Sequence, residues 1–230
     1  MNTRVTYEVT DSIATITMDD GKVNVLSPDM LGEINVALDQ AVTDGAVVVL
    51  TGRDGIFSAG FDLKVLGAGG TDAIAMLRAG FELSERLLSF PTPVVVACPG
   101  HAMAMGVFLL LSGDYRIGAA GPYRFRANEV AIGMTMPRAA VEILRQRLTP
   151  AAFTRATLLS ETFTPENAIE AGLVDRVVDT IELLDVAHGA AAEFATLDMR
   201  AHSASKLRAR EETLRAIRAG FDADMSELGG

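Results

Sequence analysis

The chain has 230 residues, 49% of them hydrophobic and 22% charged, with a formal net charge of −10. That length and balance fit one large domain, or a domain with a helical appendage, able to bury a sizeable core. The acidic balance argues against a nucleic-acid partner, because neutralising phosphates takes a basic face; a local basic patch for a small anionic ligand stays open.

The N-terminal stretch MNTRVTYEVTD is polar and strand-like, without an apolar signal region, and the longest apolar run, Val107 to Leu111, is too short to cross a bilayer. A soluble cytoplasmic protein with no membrane partner is expected. Val5 to Val9 and Ile13 to Met18 read as strands joined at Asp11-Ser12. Ser27-Pro28-Asp29 reads as a helix start, with a capping hydroxyl, proline at the first position and an acid near the positive end of the dipole. Leu31, Ile34, Leu38, Ala41 and Val42 give that helix an apolar face, Gly45 ends it, and Ala46 to Leu50 reads as a buried strand. Gly52 to Gly70 is a glycine-punctuated loop, long enough to suggest function. Thr71-Asp72 opens a helix with Ile74, Leu77, Phe81, Ser84 and Leu88 on one face.

Val94 to Cys98 is a β-branched run that reads as a buried strand, broken by Pro99-Gly100 and followed by a buried helix, Met105 to Leu111, and a strand, Tyr115 to Ile117. Such a layout can aim free backbone N–H groups at a polarised carbonyl, and it equally fits an ordinary α/β core unit. Cys98, the sole cysteine, reads as a core residue and excludes a disulfide framework. Tyr123 to Ala127 is a further predicted strand. Pro137, Thr149-Pro150 and Thr164-Pro165 mark helix starts, Gly172 a stop, and everything from Thr180 onward reads as helical. The last helix, around Ser205 to Ala219, presents either a solvated face or a subunit contact.

Two loops follow two buried strands: Phe57 to Leu63 and Gly100 to Gly106. Two backbone N–H donors converging on one oxygen make an oxyanion hole, each worth about 3 kcal/mol in a dry site. Glu129 sits in a mostly apolar segment, where burial would raise its pKa and suit it to proton transfer, unless it is a surface or helix-capping carboxylate.

The sequence FSAGFDLK resembles the first oxyanion loop of the crotonase superfamily, the enoyl-CoA hydratases and isomerases. Gly100 to Gly106, with Leu109 and Asp114, is similar to its second motif; Asn128 to Gly133 to its catalytic-glutamate segment; Asn24-Val25-Leu26 to its N-A-L signature. The resemblance implies an α/β fold, a spiral of ββα turns over residues 1–180, and a C-terminal helical oligomerisation region over 181–230 that builds homotrimers or hexamers. It implies an acyl-CoA substrate of fatty acid metabolism, as in β-oxidation, with coenzyme A as part of the substrate and no separate cofactor or metal. Phe61 and Met105 would supply the oxyanion N–H groups and Glu129 the base. Val23, Val25, Ala59, Asp62 and Leu63 would lie near the CoA adenine, and Lys64 near its phosphates. For Asp62 helix capping, for Lys64 a plain surface position, and for His101 a structural role in the loop compete with these functions.

The chain departs from the pattern twice. Met105 stands where a donating glycine is usual, and its side chain would narrow the acyl pocket. Phe108, an acyl-pocket residue by position, stands where hydratases carry their first glutamate. Adding water takes a positioned water as well as a proton donor, whereas a 1,3-proton shift takes one base. The reading is a Δ3,Δ2-enoyl-CoA isomerase with a single glutamate; a hydratase or other lyase of the same fold and a non-catalytic acyl-CoA binder are the alternatives.

Overall fold

The computed structural model describes residues 3–228. Strands β1 (Val5–Thr10) and β2 (Ile13–Met18) form an antiparallel hairpin. Its turn residues Asp11 and Ser12 both have positive φ, 51° and 62°, the backbone twist that closes a two-residue hairpin. After β3 (Val25–Leu26), Ser27 caps α1 (Pro28–Asp44) by accepting the Met30 N–H at 3.2 Å. Helix α1 buries Leu31, Ile34, Leu38 and Ala41, but Val42, one position beyond the stripe, is exposed. The stretch expected to be one loop holds four elements after β4 (Val47–Thr51): β5 (Gly55–Ser58), β6 (Gly60–Phe61), α2 (Leu63–Ala68) and the start of α3 (Gly70–Leu88). Helix α3 buries Phe81, Ser84 and Leu88 as expected, whereas Ile74 and Leu77 are only half-buried and Ala73 and Met76 take the core side.

Next come β7 (Val94–Cys98), β8 (Gly100–Met103), α4 (Met105–Leu111), β9 (Tyr115–Ala119) and β10 (Phe125–Arg126), the last shorter than predicted. A 3-10 turn over Val130–Ile132 leads to α5 (Arg138–Arg145), α6 (Pro150–Leu159), α7 (Pro165–Ala171) and β11 (Arg176–Val178). Helices α8 (Leu183–Phe194), α9 (Met199–Ala209) and α10 (Glu211–Leu228) complete the chain. The single helix expected around Ser205 to Ala219 is therefore broken at Arg210, whose guanidinium donates to the Leu88 carbonyl at 2.9 Å and pairs with Asp114 at 2.8 Å.

The strands sort into a six-stranded sheet, order β1-β2-β4-β7-β9-β11, a three-stranded sheet, β10-β8-β5, and the pair β3-β6. Successive pairs β4/β5, β7/β8 and β9/β10 each send one strand to either sheet, so the chain winds as the ββα spiral the resemblance implies. From β2 to β11 the main sheet is parallel, and both its faces are covered. Val48, Leu50, Val94 and Val96 join the main core; their neighbours Val47, Val49 and Val95 meet Leu183, Ala187 and Ala191 of α8. That is why Val47 to Leu50 of β4 and Val94 to Cys98 of β7 are unbroken apolar runs. Helix α10 packs on α3 and α5 and buries Leu214, Ile217 and Phe221, each contributing roughly 1.5–3 kcal/mol. Helix α9 is held by buried Lys206, whose ammonium donates to Asp114 at 2.6 Å. No helix among the described residues is long and apolar enough to cross a membrane.

Candidate active site

Asn24 organises the first loop. It is fully buried with φ at +51°, a conformation asparagine tolerates better than most residues. Its side-chain amide donates to the Met18 and Phe57 carbonyls at 2.9 and 3.2 Å, and its Oδ1 accepts the Asp20 N–H at 3.0 Å. The Ser58 hydroxyl donates to the Asn24 carbonyl at 2.7 Å and accepts the Gly60 N–H at 3.1 Å. The pairing of Val25 with Gly60 and of Leu26 with Phe61 then sets the direction of the Phe61 backbone.

The second loop approaches at van der Waals limits. A Cβ on Gly60, at φ +87°, would lie 2.9 Å from the Ala104 Cβ and 3.2 Å from the Met105 nitrogen; one on Gly106 would lie 2.5 Å from the Ser58 carbonyl oxygen. The backbones of Phe61 and Met105 are thus neighbours, and both loops border one cavity. Met105 is the first residue of α4, so no carbonyl one turn earlier is available to its N–H. The unusual backbone of this turn falls on Ala104, at φ 49° and ψ −124°, which lets Met105 itself be helical. Nor does the Met105 side chain line the cavity. It is buried behind it, with its methyl near Gly80 of α3, so it does not narrow the pocket by protruding into it.

Glu129 arrives by strand pairing. Arg126 of β10 lies beside Met103, and its carbonyl accepts the Ala104 N–H at 2.8 Å, so the chain reaches Glu129 three residues later at the same cavity. The turn is held by the Ser160 hydroxyl, which accepts the Ala131 N–H at 3.2 Å. Glu129 is 6% exposed, and its Oε2 has no partner among the described residues. Burial pushes its pKa up to about 7, against a hydrogen bond from its own backbone N–H.

The cavity measures about 140 Å³ and is lined by Ala59, Phe61, Leu63, Leu66, Leu77, Phe81, Ala104, Phe108, Asn128, Glu129, Ile132, Met134 and Pro137. Of the residues singled out in the sequence, Ala59, Phe61, Leu63, Phe108 and Glu129 meet here. Val25 lies in the strand beside Gly60, and the Val23 carbonyl accepts the Ala59 N–H at 3.0 Å. Asp62 caps α2 by accepting the Lys64 N–H at 2.8 Å. Lys64 is exposed and borders a separate groove of about 750 Å³ between α1, α2 and α3. His101 accepts the Arg124 N–H at 3.1 Å and packs edge-on to Tyr123, a structural place in its loop. Cys98 donates to the Gly100 carbonyl, and burial pushes its thiol up to about 12, so it is inert. Sequence reasoning missed Phe81, Asn128 and Met134. Asn128, inside the quoted glutamate motif, has a buried Oδ1 without a partner among the described residues; only its adjacency to Glu129 hinted at this.

A family model described as enoyl-CoA hydratase/isomerase matches residues 8–227. The chain belongs to the enoyl-CoA hydratase/isomerase family. It is similar to the solved structure of an enoyl-CoA hydratase from Mycobacterium marinum, 54% identical, with TM-score 0.94 over 98% of this chain and 99% of that one. It is also similar to an enoyl-CoA isomerase of Mtb, 52% identical, with TM-score 0.95 over 99% of this chain and 100% of that one. The human mitochondrial delta3-delta2-enoyl-CoA isomerase superposes with TM-score 0.91 at 30% identity, over 98% and 90% of the two chains. These family members share the fold and differ in the reaction their names carry.

Proposed function

We propose that the chain is a Δ3,Δ2-enoyl-CoA isomerase. One observation carries this reading: among the described residues Glu129 is the one carboxylate lining the cavity, and the position expected of a second is filled by the Phe108 ring. The Glu129 carboxylate takes a proton from C2 of a 3-enoyl-CoA. The thioester oxygen gains the negative charge of the resulting dienolate and accepts hydrogen bonds from the Phe61 and Met105 N–H groups. The same carboxyl returns the proton at C4, leaving the double bond between C2 and C3. A base poised near pH 7 suits both halves of this transfer. The CoA moiety runs out past Val23, Val25, Ala59 and Leu63, with Asp62 and Lys64 on that side, and the chain assembles as a homotrimer or hexamer.

A hydratase has one observation in its favour, the unpartnered Asn128 Oδ1 at the cavity, which can hold a water. Assaying the purified protein with a 3-enoyl-CoA and a 2-enoyl-CoA separates the readings. Conversion of 3-hexenoyl-CoA to 2-hexenoyl-CoA with little hydration supports the isomerase. Hydration of crotonyl-CoA at about 10 s⁻¹ or more, typical of enzymes, overturns it in favour of the hydratase. Acyl-CoA binding without turnover leaves a non-catalytic binder.

A further inference from the structure

The inner end of the cavity is a braced aromatic wall. Phe81 of α3 and Phe108 of α4 stack with centroids 6.3 Å apart and planes inclined by 22°; both rings are almost wholly buried. Phe61 packs edge-on to Phe81 at 6.3 Å. On its far side Phe81 meets Phe221 of α10 at 6.1 Å, and the Arg78 guanidinium sits 4.7 Å from the Phe221 ring centre. Rings held against one another from three helices give up packing contacts if they swing aside. The opposite side of the cavity is its mouth, where Leu63, Ile132 and Met134 are exposed.

The space between this wall and the mouth, about 140 Å³, is small. An apolar cavity of about 150 Å³ is filled by one benzene-sized molecule, six carbons. We propose that the chain selects short acyl-CoA thioesters, with acyl groups up to about six carbons, and that the Phe81–Phe108 pair is the specificity-determining wall. A longer chain has to displace packed rings. One methylene too many in a hydrophobic pocket is worth roughly 10- to 200-fold in discrimination, so the decline past six carbons is steep. The inference rests on the acyl-CoA reading of the cavity and adds a length limit to it.

Calorimetric titration with butyryl-, hexanoyl- and dodecanoyl-CoA tests the limit independently of turnover. Dodecanoyl-CoA should bind about 100-fold more weakly than hexanoyl-CoA, and kcat/KM for 3-dodecenoyl-CoA should fall below that for 3-hexenoyl-CoA by a similar factor. Equal or tighter binding of dodecanoyl-CoA overturns the length limit while leaving the acyl-CoA reading intact; failure of all three thioesters to bind overturns both. Phe81→Leu, checked for folding by circular dichroism, should raise the dodecanoyl-to-hexanoyl affinity ratio at least about 10-fold. A folded Phe81→Leu with an unchanged ratio removes the wall assignment. Where that variant does not fold, the wild-type length series decides.

Discussion

The Ser58 hydroxyl donates to the Asn24 carbonyl at 2.7 Å, 34 positions away in the sequence, and through that bond the first cavity loop is fastened to the turn between β2 and β3. Asn24→Ala leaves the Met18 and Phe57 carbonyls short of a donor and puts alanine at φ +51°. Buried unpaired groups cost about 1–3 kcal/mol and backbone strain adds about 1 or more. The expected loss is about 2–4 kcal/mol, read from urea denaturation midpoints. Asn24→Gly relieves the backbone but not the hydrogen bonds, so it should recover only part of the loss. Full recovery by glycine would show that the side-chain bonds contribute nothing.

Glu129→Gln keeps the shape of the base and removes its proton acceptance. Turnover of 3-enoyl-CoA should drop by about 10²–10⁴-fold in kcat, with acyl-CoA affinity nearly unchanged. Undiminished turnover would take Glu129 out of the reaction.

The ionisation of Glu129 sets two pH dependences of opposite consequence. As a base it must be a carboxylate, so kcat/KM should rise with pH through about 7 and then level off. For stability, the folded state holds the proton more tightly than the unfolded chain, whose carboxyl has the usual value of 4.5. Folding therefore loses stability as pH rises from about 4.5 to 7, by on the order of 3 kcal/mol. Glu129→Gln removes that loss. At pH 8 it should melt higher than wild type, and the gap should close below pH 4.5. A variant less stable than wild type at pH 8 would contradict the burial cost.

Ala104 holds a backbone conformation that glycine adopts freely, φ 49° and ψ −124°. Ala104→Gly relieves strain of about 1–3 kcal/mol and raises unfolded-state entropy by roughly 0.5–1 kcal/mol. A net gain of about 1 kcal/mol is expected in thermal melts. Destabilisation would mean that the Ala104 methyl, which lines the cavity, packs better than it strains.

Phe108→Glu restores the carboxylate position that hydratases use. Hydration of a 2-enoyl-CoA should rise from a low baseline, but modestly, because the new carboxylate takes the buried place of the Phe108 ring against Phe81. The same variant should be less stable than wild type by several kcal/mol, measured by denaturation. No gain in hydration by a folded variant would show that Asn128 and Glu129 cannot position water even with that partner present.

What the sequence determined by itself was carried by neighbours along the chain. The cap and proline at Ser27-Pro28, the apolar repeat through Leu31, Ile34 and Leu38, and the Val-rich runs of β4 and β7 announce themselves within a few residues, because helix and buried-strand signals are local. The four motifs around Asn24, Phe61, Met105 and Glu129 were legible for the same reason, and so was the raised pKa expected of a carboxyl in an apolar segment. The tertiary structure alone decided the rest. Strands β5, β6 and β8 are two to four residues long, too short for any periodicity, and exist because partners far along the chain pair with them. The spiral is a repeat of geometry with no repeat of sequence. Arg210 breaks the final helical stretch because Leu88 and Asp114 bind it, and Phe81 becomes a cavity wall because Phe108 and Phe221 stand on either side. Each depends on groups distant in sequence, and packing in three dimensions brings those groups within reach of one another.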